Sequence, residues 1–97
     1  MNIIFFGNGP FALQSLKELN QSSEHKILLT VTNEDKKRGR GLKKTSSIVS
    51  NFCIKNNINL YKCDNIRSQA FFSKIEEYNP ECFVVIEYRI LPAKRVA

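Results

Sequence analysis

The sequence predicts an open α/β fold, a Rossmann-like parallel sheet with helices packed on it in the order β-α-β-loop-α-β-α-β. Two runs, residues 3–6 (IIFF) and 82–86 (CFVVI), are apolar without alternation, the pattern of strands covered on both faces. Between the strand-like runs lie segments whose apolar residues recur at helical spacing, such as Phe11, Ala12, Leu16 and Leu19. Strand and helix signals alternate along the chain, which requires right-handed crossovers and parallel neighbours.

Taken in order, NIIFF ends at Gly7, a turn signal after a buried strand. Pro10 suits the first turn of a helix, where its missing N–H leaves nothing unpaired, and that helix runs to about Asn20. KILLTVT, residues 26–32, is the second strand. A helix beginning near Ser46 or Ser47 has Ile48, Val49, Phe52 and Cys53 on one face, with no capping-box carboxylate at Ser50. It stops at Asn56-Asn57, and residues 58–61 make a short third strand. A third helix over 69–78 turns Phe71, Phe72 and Ile75 inward and ends before Asn79-Pro80. The fourth strand follows at 82–86, apolar on both faces.

The stretch 33–45, NEDKKRGRGLKKT, breaks this pattern. It holds six of the fifteen Lys and Arg residues and two of the four glycines, and Leu42 is its sole bulky apolar residue. It reads as an exposed, mobile loop, and a structureless loop of that length in a small domain is usually functional or a linker. Because it carries most of the chain's net +6, a polyanionic partner is plausible.

At 97 residues the chain makes one domain with a modest core, and 42% hydrophobic residues exclude global disorder. No run has the length of a membrane span, and no basic n-region or cleavage site precedes the first strand, so a cytoplasmic location and no membrane contact are expected. Three widely spaced cysteines, Cys53, Cys63 and Cys82, fit buried free thiols better than a disulfide framework or a metal site.

Open α/β sheets bind ligands beyond the carboxyl ends of their strands, here the loops after Phe6, Thr32 and Ile86. Gly7, Gly9 and Pro10 belong to a G-x-G-x-x-A turn directly after a strand, the context of a dinucleotide fingerprint, with Glu34 and Asp35 after the second strand as ribose-binding candidates. Against this, Pro10 lacks one N–H that would face a phosphate. Arg40, set between Gly39 and Gly41, can fit its fork to phosphate, with Lys36, Lys37, Arg38, Lys43 and Lys44 adding salt-sensitive attraction. Catalytic chemistry is nearly absent: His25 lies at the opposite edge, Glu76-Glu77 is solvated, and no triad, carboxylate pair or metal spacing occurs.

FFGNGPFALQSLKEL, VTNEDKKRGRGLKKTSSIV and YNPECFVVIEYRILP resemble the amino-terminal part of the methionyl-tRNA formyltransferase family, whose pattern is FFGTPxFAxxxLxxL, TxPDKPxGRGxKLxPSPV and NPDxxVVxAYGxILP. The resemblance covers nearly all 97 residues in order, and the G-R-G loop is its most specific part. It implies an incomplete formyltransferase domain of Rossmann-like fold with the basic loop at 33–45. The implied reaction moves a formyl group from 10-formyltetrahydrofolate to the methionine amino group on initiator tRNA. The loop residues Lys37, Arg38, Arg40, Lys43 and Lys44 would lie along the tRNA acceptor stem, and Ile86, Tyr88, Ile90, Leu91 and Pro92 would begin the folate pocket wall.

The family's catalytic Asn and His, in N-x-H-x-S-L-L-P, and a later Asp match nothing within the 97 residues. The chain is thus expected to hold no catalytic residue, to be inactive alone, and to need the remainder of the domain, in cis or as a second chain. The family's AYGxILP becomes Glu87-Tyr88-Arg89-Ile90-Leu91-Pro92, one residue shorter and without its glycine. Glu87 and Arg89 are expected to pair and narrow the pocket. The loop's usual prolines are replaced, and the Tyr-Arg pair is similar to sugar-nucleotide formyltransferases, an alternative acceptor class. A further alternative is a non-catalytic nucleotide- or RNA-binding module.

Overall fold

The structure, a computed structural model, describes residues 1–38 and 43–90; for residues 37, 38 and 43 it describes the backbone alone. In chain order the elements are β1 (Asn2–Phe6), α1 (Pro10–Gln21), β2 (Lys26–Thr32), β3 (Lys36–Arg38), β4 (Lys43–Thr45), α2 (Ile48–Lys55), β5 (Leu60–Lys62), α3 (Gln69–Glu76) and β6 (Cys82–Val85). The main sheet is parallel with order β5-β2-β1-β6.

β1 lies inside the sheet because all its residues from Ile3 onward are apolar. Ile3 and Phe5 meet Ala12 and Leu16 of α1 and Val49 and Cys53 of α2. Ile4 and Phe6 point the other way, toward Leu29, Val31, Cys63 and Phe71 of α3. A strand that faces helices on both sides has no polar face to offer, so its sequence shows no alternation. β2 shifts register against β1 between Ile3 and Ile4, with Ile27 opposite Ile3 and Leu29 opposite Ile4. That shift sends Ile27 to one core and Leu29 and Val31 to the other.

Several elements differ from the sequence-based expectation. The third strand is Leu60–Lys62 rather than 58–61, since Ile58 N–H bonds back to Cys53 O at the end of α2. α3 ends at Glu76; Tyr78 N–H closes a turn on Ile75 O, and Asn79 adopts φ 47°. Phe11, Phe72 and Ile48 point outward, because each helix touches the sheet along one stripe that already holds its neighbour: Ala12, Phe71 and Val49. Among the described residues β6 is an edge strand, and its apolar run is covered on one face alone. Cys82 and Val84 pack toward α1, while Phe83 and Val85 remain half-exposed.

The basic stretch is not a structureless loop. β3 and β4 pair antiparallel, Lys36 opposite Thr45 and Arg38 opposite Lys43. Nothing in its composition signals strands, because charged residues are poor β formers and no apolar alternation marks a face. The three cysteines are free, Cys53 and Cys63 being buried. Among the described residues no helix is long and apolar enough to cross a membrane.

Candidate functional site

The turn after β1 and the segment after β6 meet where two parallel neighbours send their connections apart, the place at which open α/β sheets hold ligands. Gly7 is required there by close approach. A Cβ on it would sit 2.4 Å from Ile86 O and 2.5 Å from Ala12 Cβ. Its N–H bonds Val31 O, and Ile86 N–H bonds Phe6 O, so β1, β2 and β6 end in register.

Two asparagines tie these ends together. Asn8 Nδ2 donates to Asn33 Oδ1 (2.7 Å) and to Glu87 O (3.1 Å), while Asn8 Oδ1 accepts from Asn33 N–H (2.8 Å). Asn33 Nδ2 donates to Asp64 Oδ1 (3.0 Å) and Arg89 O (2.9 Å), and Asn33 Oδ1 also accepts from Arg89 N–H (3.0 Å). Asp64 Oδ1 accepts Glu34 N–H as well. Asn33 thus uses both donors and both lone pairs of its amide, which explains how a polar side chain only 7% exposed is tolerated.

Glu87, immediately after Ile86, adopts φ 53°, and its Oε1 accepts from Ala12 N–H at 2.9 Å. The expected Glu87–Arg89 ion pair does not form. The α1 N-terminus competes for the same carboxylate with an aimed N–H and the positive end of a helix dipole. This also removes the dinucleotide reading, because the carboxylate occupies the place a pyrophosphate would take. Asp35, a ribose-binding candidate, is engaged elsewhere.

Of the expected wall residues, Ile86 packs against the α1 and α2 core. Tyr88 packs edge-on to Phe6, with ring centroids 5.4 Å apart, and its hydroxyl donates to Cys63 O. Burial, then Cys63 and Asp64 nearby, push the Tyr88 phenol well above its ordinary pKa. Ile90 is exposed. Leu91 and Pro92 lie outside the described residues, as does Arg40. Of the basic residues, Lys44 is exposed, and Lys37, Arg38 and Lys43 are placed by backbone alone on β3 and β4.

The root of the β3–β4 ribbon is anchored to β5. Lys62 Nζ lies 2.8 Å from Asp35 Oδ2 and donates to Ser46 Oγ (3.2 Å), which donates to Asp35 Oδ2 (3.2 Å). The Lys62 hydrogen bond, ahead of burial acting oppositely, holds the Asp35 carboxyl below its ordinary value. Ser47 caps α2 by accepting Ser50 N–H (3.0 Å), and Ser50 Oγ in turn meets Thr32 Oγ1 (3.0 Å). Between the ribbon and the β1–α1 turn lies a cleft of about 480 Å³, whose walls include Gly9, Asn33, Lys36, Ser46, Ser47 and Arg89. Two basic residues, Lys36 and Arg89, and one acidic residue, Glu34, therefore line the cleft. Sequence reading missed Asn8, Asn33, Lys62 and Asp64; the available signal was that each stands at or just beyond a strand's carboxyl end.

This edge, the parallel sheet and the ribbon make up a Rossmann-like domain, and the chain belongs to the formyl transferase family, whose sequence model matches residues 1–97. It corresponds to the amino-terminal part of that domain. It is 36% identical over 96 residues to the methionyl-tRNA formyltransferase of Prochlorococcus marinus (strain MIT 9515), covering 97% of this chain and 29% of that protein. The methionyl-tRNA formyltransferase of Syntrophomonas wolfei is 37% identical over 93 residues, covering 95% of this chain and 29% of that protein. That of Trichormus variabilis is 31% identical over 97 residues, covering 99% and 29%. The chain thus spans less than a third of the length of these relatives.

Proposed function

We propose that this chain forms the amino-terminal part of a methionyl-tRNA formyltransferase. The complete enzyme would move a formyl group from N10 of 10-formyltetrahydrofolate to the amino group of methionine on initiator tRNA. A C–N bond to the methionine nitrogen forms, the bond to N10 breaks, and the proton lost by the amine is balanced by one gained at N10. The observation that carries this reading is the match of the whole chain to the family, with relatives of that name at 31–37% identity.

The geometry supports a division of labour in which this part binds and the rest of the enzyme supplies the catalytic groups. The basic ribbon, with Lys37, Arg38, Arg40, Lys43 and Lys44, would meet the phosphates of the tRNA. Its register sets Lys37 opposite Lys44 and Arg38 opposite Lys43. Directly opposed like charges are unfavourable in a free ribbon, and a polyanion relieves that repulsion. The segment with Ile86, Tyr88, Ile90, Leu91 and Pro92 would begin the folate wall, Ile86 and Tyr88 by bracing it from inside and Ile90 by its exposed surface.

Arg40→Ala tests the acceptor. In the complete enzyme it should weaken initiator tRNA binding by roughly tenfold or more and shallow the salt dependence, leaving formyl-donor affinity unchanged. Unchanged tRNA affinity and salt slope in this variant would remove Arg40 from the tRNA contact, and a wild-type enzyme that forms no formyl-methionyl-tRNA would sink the tRNA assignment and favour a sugar-nucleotide acceptor. The 97-residue chain alone should form no formyl-methionyl-tRNA.

A further inference from the structure

Three unusual features coincide at Glu87. Its φ of 53° puts a side-chain-bearing residue in the left-handed region, which favours glycine. Its carboxylate lies across the start of α1, a helix with Gly9 at the N-cap, no side-chain cap, Pro10 in its first turn and no acidic residue there. A Cβ on Gly9 would lie 2.7 Å from Glu87 Cδ, Oε1 and Oε2, so the carboxylate is seated against bare Gly9 backbone.

The backbone of Glu87 is held by the same turn. Its carbonyl accepts from Asn8 N–H and Asn8 Nδ2, each at 3.1 Å. Two residues on, both backbone groups of Arg89 bond to the Asn33 amide, and between them Tyr88 inserts its ring beside Phe6. The chain therefore bends at Glu87 while α1 holds its carboxylate, and residues 88–90 follow from that bend.

We propose that Glu87 is a positioning residue, whose carboxylate on the α1 N-terminus fixes the left-handed bend that sets the course of residues 88–90. The geometry stands by itself; the functional consequence rests on the reading above, in which this segment begins the wall along the formyl donor. Where the family pattern has alanine and a following glycine, this chain has a carboxylate that locks a bend.

Amide hydrogen exchange on the purified protein tests the tether, with Glu87→Ala and Glu87→Gln beside the wild type. Glu87→Ala should speed exchange at Ala12 and at Arg89 by roughly tenfold or more, while Thr30, bonded to Asn59 O across β2 and β5, stays unchanged. Glu87→Gln, which keeps an acceptor oxygen without the charge, should fall between. Release of Ala12 with Arg89 still protected would overturn the proposal, because Glu87 would then cap the helix and position nothing. No change at Ala12 would overturn it as well. Should Glu87→Ala accelerate Thr30 equally, the fold is lost, and the same two rates in Glu87→Gln decide. In the complete enzyme, Glu87→Gln should raise the KM for the formyl donor several-fold while kcat and the KM for tRNA hold; a fall in kcat at constant donor KM would count against it. If the wild-type enzyme has no affinity for 10-formyltetrahydrofolate, the functional reading falls, and Ala12 and Arg89 still decide the tether.

Discussion

β1 and β6 are hydrogen-bonded neighbours of similar composition running in the same direction, yet they live in different surroundings. Every β1 residue from Ile3 to Phe6 is buried, whereas β6 alternates, with Phe83 53% and Val85 52% exposed. The difference comes from what covers them. α1 and α2 lie over one face of both strands, but α3 reaches only the β1, β2 and β5 side of the other. A continuous apolar run therefore reports a strand suited to burial on both faces, and position in the sheet decides whether that burial is delivered.

The sharpest break in the comparison is Phe5→Ala. Phe5 is fully buried between the sheet and α1, and emptying such a site costs about 3–5 kcal/mol. For a domain this small that is a large share of total stability. Urea denaturation should show loss of most of the cooperative transition; a cost under about 1 kcal/mol would mean that this core is not packed as described.

Asn33→Ala comes next. It removes the amide that joins the ends of β2, β5 and the segment after β6, leaving Asp64, Arg89 N–H and Asn8 short of partners. Buried groups deprived of partners cost roughly 1–3 kcal/mol in total stability. Asn33→Asp, which keeps the acceptor oxygen but puts a carboxylate beside Asp64, should be no better. Wild-type stability in either variant would show that the strand ends are fixed by the ladder alone.

These two substitutions also mark what could be read from sequence. Phe5 was legible, because an unbroken run of large apolar residues from Ile3 to Phe6, stopped by a glycine, fits a buried strand and little else. So was the parallel sheet, which follows from alternating periods. Asn33 was not legible as a hub. An asparagine after a strand ordinarily makes a turn, and its four bonds involve residues 25, 31 and 56 positions away. Glu87 was misread for the same reason: its neighbour Arg89 is the nearest cation, but Ala12 N–H, 75 residues back, holds it. The β3–β4 ribbon was missed because its pairing is made by backbone groups under charged side chains. Local pattern reports burial; it does not report partners brought by the crossovers.

A smaller effect separates the ribbon from the sheet. Hydrogen bonding to Lys62 first, and to Ser46, keeps the Asp35 carboxyl below its ordinary value of 3.8. Because the folded value is the lower one, this contact stabilises the fold fully above the unfolded value. The contribution is lost as pH falls through the folded value. Asp35 is near the surface and screened, so the loss should be modest and confined to the ribbon. Asp35 side-chain resonances followed by NMR from about pH 6 downward should titrate below 3.8 in wild type and nearer to it in Lys62→Met. Unchanged titration in Lys62→Met would place the anchor elsewhere.

The mildest expected effect lies on β6. Phe83→Thr puts a β-branched residue of good strand propensity in the strand, gives up a side chain already half in water, and loses the edge-on contact with Phe6 at 6.0 Å. The cost should be about 1 kcal/mol or less, against about 3–5 for Phe5 one strand away, even though both are phenylalanines in one sheet. Thr also removes apolar surface from a strand that has no outer neighbour among the described residues, so the variant should be less prone to self-association at high concentration. A loss near that of Phe5, measured in dilute solution where the wild type is monomeric, would mean that the Phe83 face is covered in solution. The contrast between the two strands would then belong to their residues' partners and not to the sheet's edge.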